Sequence, residues 1–252
     1  MAFFSLRDRD TGGCLSCTIG EMSVEAITTT RILIRPGTSQ AITGIGPDKG
    51  LTLFNTVRLD EKGEAQLLEL GPIKRVVRLS SMHGMDDPYY VHKFGTEVWG
   101  MPGMTWDEYC KKCDPVTMTH NLLEASLFPE EAEVVTLENI TVPECMLFFR
   151  GKGLLLACDF IMQCENPRHE KISDVNFGRL SHFVGRLIGF KGEAVTPSVY
   201  VKNFTKDKNF ACIKATSDKI QELPYTTIIS GHGPPMIGDA KARRQGFIDA
   251  CK

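Results

Sequence analysis

This sequence predicts a layered α/β fold, on three observations. Strand-like runs come in two successive sets, each followed by helical patterns. Residues with coordinating chemistry fall at the ends of three strand-like runs: His83 with Asp87, then Asp159, then His232. Layered α/β folds gather binding groups there because the rigid sheet fixes the loops at its edge. Finally, 42% hydrophobic and 24% charged residues give enough apolar material for a well-buried core.

The first strand set opens with the β-branched runs Val24–Thr28 and Thr30–Ile34, the second closed by the turn Arg35-Pro36-Gly37. Ala41–Ile45 and Leu51–Val57 follow, joined by the hairpin-like connection Gly46-Pro47-Asp48-Lys49-Gly50. Asp60–Leu70 reads as a short amphipathic helix that Gly71-Pro72 ends. Arg75–Leu79 is a strand leading into "SSMHGMDDPYY"; Tyr89–Phe94 is a helix capped by Gly95, and Glu97–Trp99 is another strand. The second set comprises Glu133–Leu137, Glu144–Arg150 and Gly153–Cys158, with Gly151-Lys152-Gly153 as the hairpin turn between the last two. Leu154–Ala157 is continuously apolar, as in a strand buried on both faces, and Asp159 stands at its end. Val175–Gly189 has helical spacing, Val195–Phe204 reads as a loop or crossover, and a helix surrounds Asp207–Leu223. Thr226–Ile229 is the last strand, running into Ser230-Gly231-His232-Gly233-Pro234-Pro235, and Asp239–Ala250 is the final helix.

At 252 residues the chain is read as one domain over 1–252, since α/β folds of about 200–250 residues are often single domains. A formal net charge of -2 offers no electrostatic footprint for nucleic acid or an anionic membrane, and neither is expected as a partner. The densest basic pairs, Lys111-Lys112 and Arg243-Arg244, are read as solvated surface. No apolar run approaches the ~18 residues of a membrane span. Ala2, Phe3 and Phe4 fall short of a signal-peptide core, so the expected compartment is the cytoplasm, with the nine Cys reduced. Cys14/Cys17 and Cys110/Cys113 have the C-x-x-C spacing of zinc knuckles, but lie much farther apart than in a zinc ribbon and are read as loop thiols.

Each polar strand end has an ordinary explanation alone: Asp159 as a helix N-cap, His232 as a turn residue, His83 as a surface histidine. Their order adds more. "LTLFNTVRL", "LLELGPIKRVVRLSSMHGMDD", "KFGTEVWGMPG", "GKGLLLACD" and "TTIISGHGPP" follow one another as do the early strand, metal loop, next strand, bridging-Asp strand and last ligand turn of one family. Over nearly its whole length the sequence resembles the metallo-β-lactamase superfamily, and in particular little-characterised branches whose metal motif is eroded. The resemblance implies an αβ/βα sandwich: two facing mixed β-sheets flanked by helices.

It also implies metal-ligand positions at His83, Asp87, Asp159 and His232. Asn55 takes the place of the family's usual early Asp. Met85 and Pro88 stand where two further histidines belong, and Thr141 takes the place of the lone mid-chain histidine; His120 lies too early to replace it. The implied cofactor is thus one divalent metal, zinc or iron/manganese, because two imidazoles and two carboxylates suit any of these. The implied function is a metal-dependent hydrolase of an ester, lactone or thioester, a small-molecule substrate. His83 and Asp87 are the expected catalytic residues, with Asp87 or Asp159 orienting a water and accepting its proton. The alternative is a metal-free, non-hydrolytic ligand-binding member of the fold. Tyr89, Tyr90, Trp99, Met101, Met104 and Trp106 are candidates for the mouth of the site. The sequence leaves the oligomeric state open.

Overall fold

The structure, a computed structural model, describes residues 42–45, 48, 50–59, 61–84, 86–104, 116–124, 127–128, 131–164, 190–233 and 235–251. The strands expected at Val24–Thr28 and Thr30–Ile34, both Cys pairs, Met85, Trp106, Lys111-Lys112 and the helix expected at Val175–Gly189 lie outside the described residues.

Two sheets carry the fold. The first has the order β1 (Ile42–Ile45), β2 (Leu51–Phe54), β3 (Ile73–Val77), β4 (Glu97–Gly100) and β5 (His120–Asn121). Only the β1/β2 pairing is antiparallel. Helix α1 (Glu61–Leu70) links β2 to β3, and α2 (Asp87–Phe94) links β3 to β4, as parallel pairs require. The second sheet has the order β6 (Ala132–Thr136), β7 (Cys145–Phe149), β8 (Leu154–Leu156) and β9 (Thr227–Ile229), antiparallel except for β8/β9. Between β8 and β9 run α3 (Ser198–Phe204) and α4 (Lys214–Glu222), and α5 (Ala240–Ala250) follows β9.

Burial explains why these strands are apolar on both sides. Along β7, Cys145, Leu147 and Phe149 face the first sheet and meet Phe54, Val77 and Trp99. The alternate residues Met146 and Phe148 join Leu155 and Ile228 against Tyr200, Ile220 and Ala240 on the helical side. Leu51, Leu53, Ile73 and Val76 form a third cluster on the outer face of the first sheet, with Leu67 and Tyr90. Helix, sheet, sheet, helix is therefore the layering, with one apolar seam per interface.

Boundaries shift slightly from expectation. Pro88 in its first turn suits α2, which begins at Asp87, and Gly95 ends it at φ 65° with its N–H on the Val91 carbonyl. Val195–Phe204 is not all crossover: α3 forms within it because Tyr200, Val201 and Phe204 lie on one apolar stripe against the second sheet. The Asp207–Leu223 helix starts later, at Lys214, after a tight turn over Phe210–Ile213 that Asn209 caps by accepting from the Cys212 N–H. Arg244 is not solvated surface. It is fully buried, donates to the Ala194 carbonyl, Thr196 Oγ1 and Ser217 Oγ, and lies over Phe247. Burial lowers its pKa to about 10.

Candidate metal centre

The β3 end and the segment before β7 are stitched together. Cys145 N–H donates to the Leu79 carbonyl at 2.8 Å, Ser81 N–H donates to the Pro143 carbonyl at 3.0 Å, and Ser80 bridges Glu144. Asn55, held at φ 49°, accepts the Leu79 N–H on its side-chain oxygen at 3.0 Å, so the position of the family's early Asp has a structural use here. His83 closes the tight turn that follows, its N–H on the Ser80 carbonyl at 3.1 Å.

Asp159 and His232 sit on two turns tied by Ser230. The Ser230 hydroxyl lies on the carbonyls of Cys158, at 2.9 Å, and Ile161, and accepts the His232 N–H at 3.2 Å. Glycines flank His232 for steric reasons. A Cβ on Gly231 would press on His83 Cε1 and Cys158 Sγ, and one on Gly233, at φ 81°, would overlap the Gln163 carbonyl.

Three donor atoms converge on one point. His83 Nε2 lies 3.1 Å from Asp159 Oδ1, His232 Nε2 lies 2.8 Å from the same oxygen, and the two Nε2 atoms are 3.1 Å apart. Hydrogen bonding alone leaves one edge of this triangle unfavourable: with both Nε2 atoms protonated the two N–H groups crowd each other, and otherwise a bare nitrogen sets its lone pair against the carboxylate oxygen. An ion held at about 2.0–2.2 Å does account for it, since three ligands on one side of such an ion stand about 3 Å apart. Two imidazoles and one carboxylate with open positions suit zinc and equally iron or manganese. The residues present therefore fit a divalent ion. Among the described residues, the Cys158 thiol lies within 4.8 Å of the His83 and Asp159 donor atoms. Burial, with the Asp159 and Glu144 charges, pushes its pKa well up.

Access is one-sided. The Asp159 and His83 side chains are 5% and 10% exposed, whereas His232 is 33% exposed and forms the solvent edge. Burial raises the Asp159 carboxyl, but the charges and hydrogen bonds of His83 and His232 outweigh it and hold the group well below the usual carboxylate range.

Of the four ligand positions expected from sequence, the structure brings together His83, Asp159 and His232. It does not bring in Asp87. That carboxylate is fully buried at the start of α2, where Thr56 Oγ1 donates to Oδ1 and Arg78 Nε donates to Oδ2 at 3.2 Å. Burial raises its pKa, opposed by Arg78 and Thr56. The expectation that Asp87 is a ligand and catalytic residue is corrected accordingly: both its oxygens are engaged inside the protein. Asp159 is no helix cap, for no helix follows it among the described residues. Thr141 is exposed and His120 stacks on Trp99 with ring centroids 4.3 Å apart, so neither supplies a mid-chain ligand. Tyr90, Trp99 and Met104 are core rather than mouth, and Tyr89 donates to Glu64 at 2.5 Å.

Sequence reasoning missed Glu144. Its buried carboxyl group accepts from the Phe160 N–H at 2.7 Å and the Tyr200 hydroxyl at 2.9 Å, and from the Ser80 side chain. It thereby joins the His83 loop, the Asp159 turn and α3. Burial and the Asp159 charge push its pKa up to about 8. The available signal was an acid directly before the apolar run Cys145–Phe149, a position no solvated glutamate needs.

No family model matches the sequence, and no curated protein matches it either. Solved structures do match. A metallo-beta-lactamase family protein from Thermus thermophilus is 14% identical, with 87% of this chain and 78% of that one covered and a TM-score of 0.56. A beta-lactamase domain protein from Burkholderia ambifaria is 12% identical, covering 89% of this chain and 71% of that one, TM-score 0.56. TTHA1623, in a di-iron-bound form, is 13% identical, covering 85% of this chain and 98% of that one, TM-score 0.54. This chain has the metallo-β-lactamase fold.

Proposed function

We propose that the protein is a metal-dependent hydrolase of the metallo-β-lactamase fold, with one divalent ion held by His83, Asp159 and His232, acting on a small ester, lactone or thioester. The observation that carries this reading is the convergence of His83 Nε2, His232 Nε2 and Asp159 Oδ1 within 3.1 Å of one another. When bound, the ion lowers the pKa of a water toward neutrality and polarises a substrate carbonyl.

The chain's own groups do the rest. Glu144 fixes the Asp159 turn through the Phe160 N–H, and with it the direction of the Asp159 carboxylate. Asp159 Oδ2 faces away from the two imidazoles toward the Cys158 thiol, at 3.7 Å. His232, on the solvent edge, is the ligand a substrate meets first. Burial and the neighbouring carboxylate charges push the Cys158 thiol pKa up, which disfavours its thiolate as a nucleophile.

The test is metal content and hydrolysis measured together on purified protein after dialysis. A panel of simple esters, lactones and thioesters should show turnover that a chelator abolishes and that zinc or manganese restores. His232→Ala should lose both metal and turnover, by about 100-fold or more in turnover. Metal-free wild type that hydrolyses the panel as well as loaded protein would contradict the reading.

A further inference from the structure

Beside the three converging donors lies a second, fully enclosed charge system. Arg78 follows β3 directly, its backbone N–H on the Trp99 carbonyl at 2.9 Å, so its side chain starts from a fixed point of the first sheet. The guanidinium is 2% exposed and Asp87 is 0% exposed. The pair packs against the backbone of Gly84, the residue after His83. A Cβ at Gly84 would overlap Arg78 Nε, Arg78 Nη2 and Asp87 Oδ2 together, and its φ of 89° also calls for glycine. Glycine at 84 is thus what lets a buried cation and a buried anion sit directly behind the His83 turn.

We propose that Arg78 is a built-in cation occupying the role of a second ion: it claims Asp87 for an internal ion pair and restricts the neighbouring centre to one metal. This rests on the metal site proposed above and deepens it by setting its stoichiometry. Two observations support it independently. Each Asp87 oxygen already has a donor, Thr56 Oγ1 on Oδ1 and Arg78 Nε on Oδ2, and Asp87 is not among the donors grouped with His83 and Asp159. The pair is also sealed from solvent, so an ion from solution would have to displace a buried guanidinium from a buried carboxylate. A guanidinium cannot lose its proton under ordinary conditions, so this positive charge is permanent, unlike one supplied by a dissociable ion.

The experiment strips the full chain with chelator, titrates it with zinc by calorimetry and counts bound zinc after desalting. Wild type should hold one zinc per chain. Arg78→Met alone strands the Asp87 carboxylate and should lower the melting temperature by about 10 °C. The double variant Arg78→Met, Asp87→Leu replaces the pair with apolar side chains; it should recover most of that loss and still hold one zinc with unchanged affinity. Two zinc ions on wild type, or a loss of affinity of about tenfold or more in the double variant, would make Asp87 a ligand and overturn the proposal while leaving the metal centre standing. Wild type that binds no zinc would overturn the metal centre itself, and this proposal with it.

Discussion

Glu144 contributes to the pH response of the folded chain. With its pKa at about 8 against an ordinary 4.5, it keeps its proton in the native state where the unfolded chain has lost it. The stability it contributes is therefore complete below the ordinary value and is lost as pH rises through about 8. Asp159 has the opposite sign: its depressed carboxyl contributes stability above the ordinary carboxylate value and loses it on acidification, in a window that does not overlap. In chelator, the melting temperature of wild type should fall between about pH 5 and 8, and Glu144→Gln should flatten that fall. Equal slopes would place the Glu144 proton elsewhere. Gly233 is a residue-scale test of a different kind. Gly233→Ala must hold φ at 81° and push a methyl into the Gln163 carbonyl, so urea unfolding should show a loss of about 2 kcal/mol or more.

The elements were legible in the sequence where burial made them apolar on both faces. β7 and β8 read as strands because both of their faces are covered, and Gly95 and Gly71-Pro72 marked helix ends through backbone geometry alone. The short α3 was hidden because seven residues give barely two turns of periodicity, and what stabilises it is tertiary: Tyr200 and Val201 against the second sheet. The site shows the same division. His83, Asp159 and His232 stood out because each ends a strand; Asp87 stood out equally, and only its partners Arg78 and Thr56, nine and 31 positions away, reveal that it faces inward. Such partners carry no local signal. Ser230 is the element-scale joint, holding the turn after β8 to the turn after β9. Ser230→Ala leaves the His232 N–H and the Cys158 and Ile161 carbonyls short of a partner and should lower stability by about 1–3 kcal/mol. Zinc affinity should drop with it, since His232 loses the anchor of its turn; unchanged affinity would mean the histidine is positioned by the sheet alone.

At the scale of the whole molecule, the layering places three candidate ligands from far-separated segments at one edge of the sandwich. β3 delivers His83, β8 delivers Asp159 and β9 delivers His232, with the pairing of β8 and β9 and the Ser80–Glu144 bridge between the sheets fixing their relative heights. Among the described residues no helix is long and apolar enough to cross a membrane. Whether this edge holds one ion on two imidazoles and one carboxylate can be seen in an anomalous difference map. Crystals grown with zinc would be measured on both sides of the zinc absorption edge. A single strong peak is expected within bonding distance of His83 Nε2, His232 Nε2 and Asp159 Oδ1, and none beside Asp87. A map with no peak at those three atoms, or with its peak on Asp87, would contradict the one-ion centre.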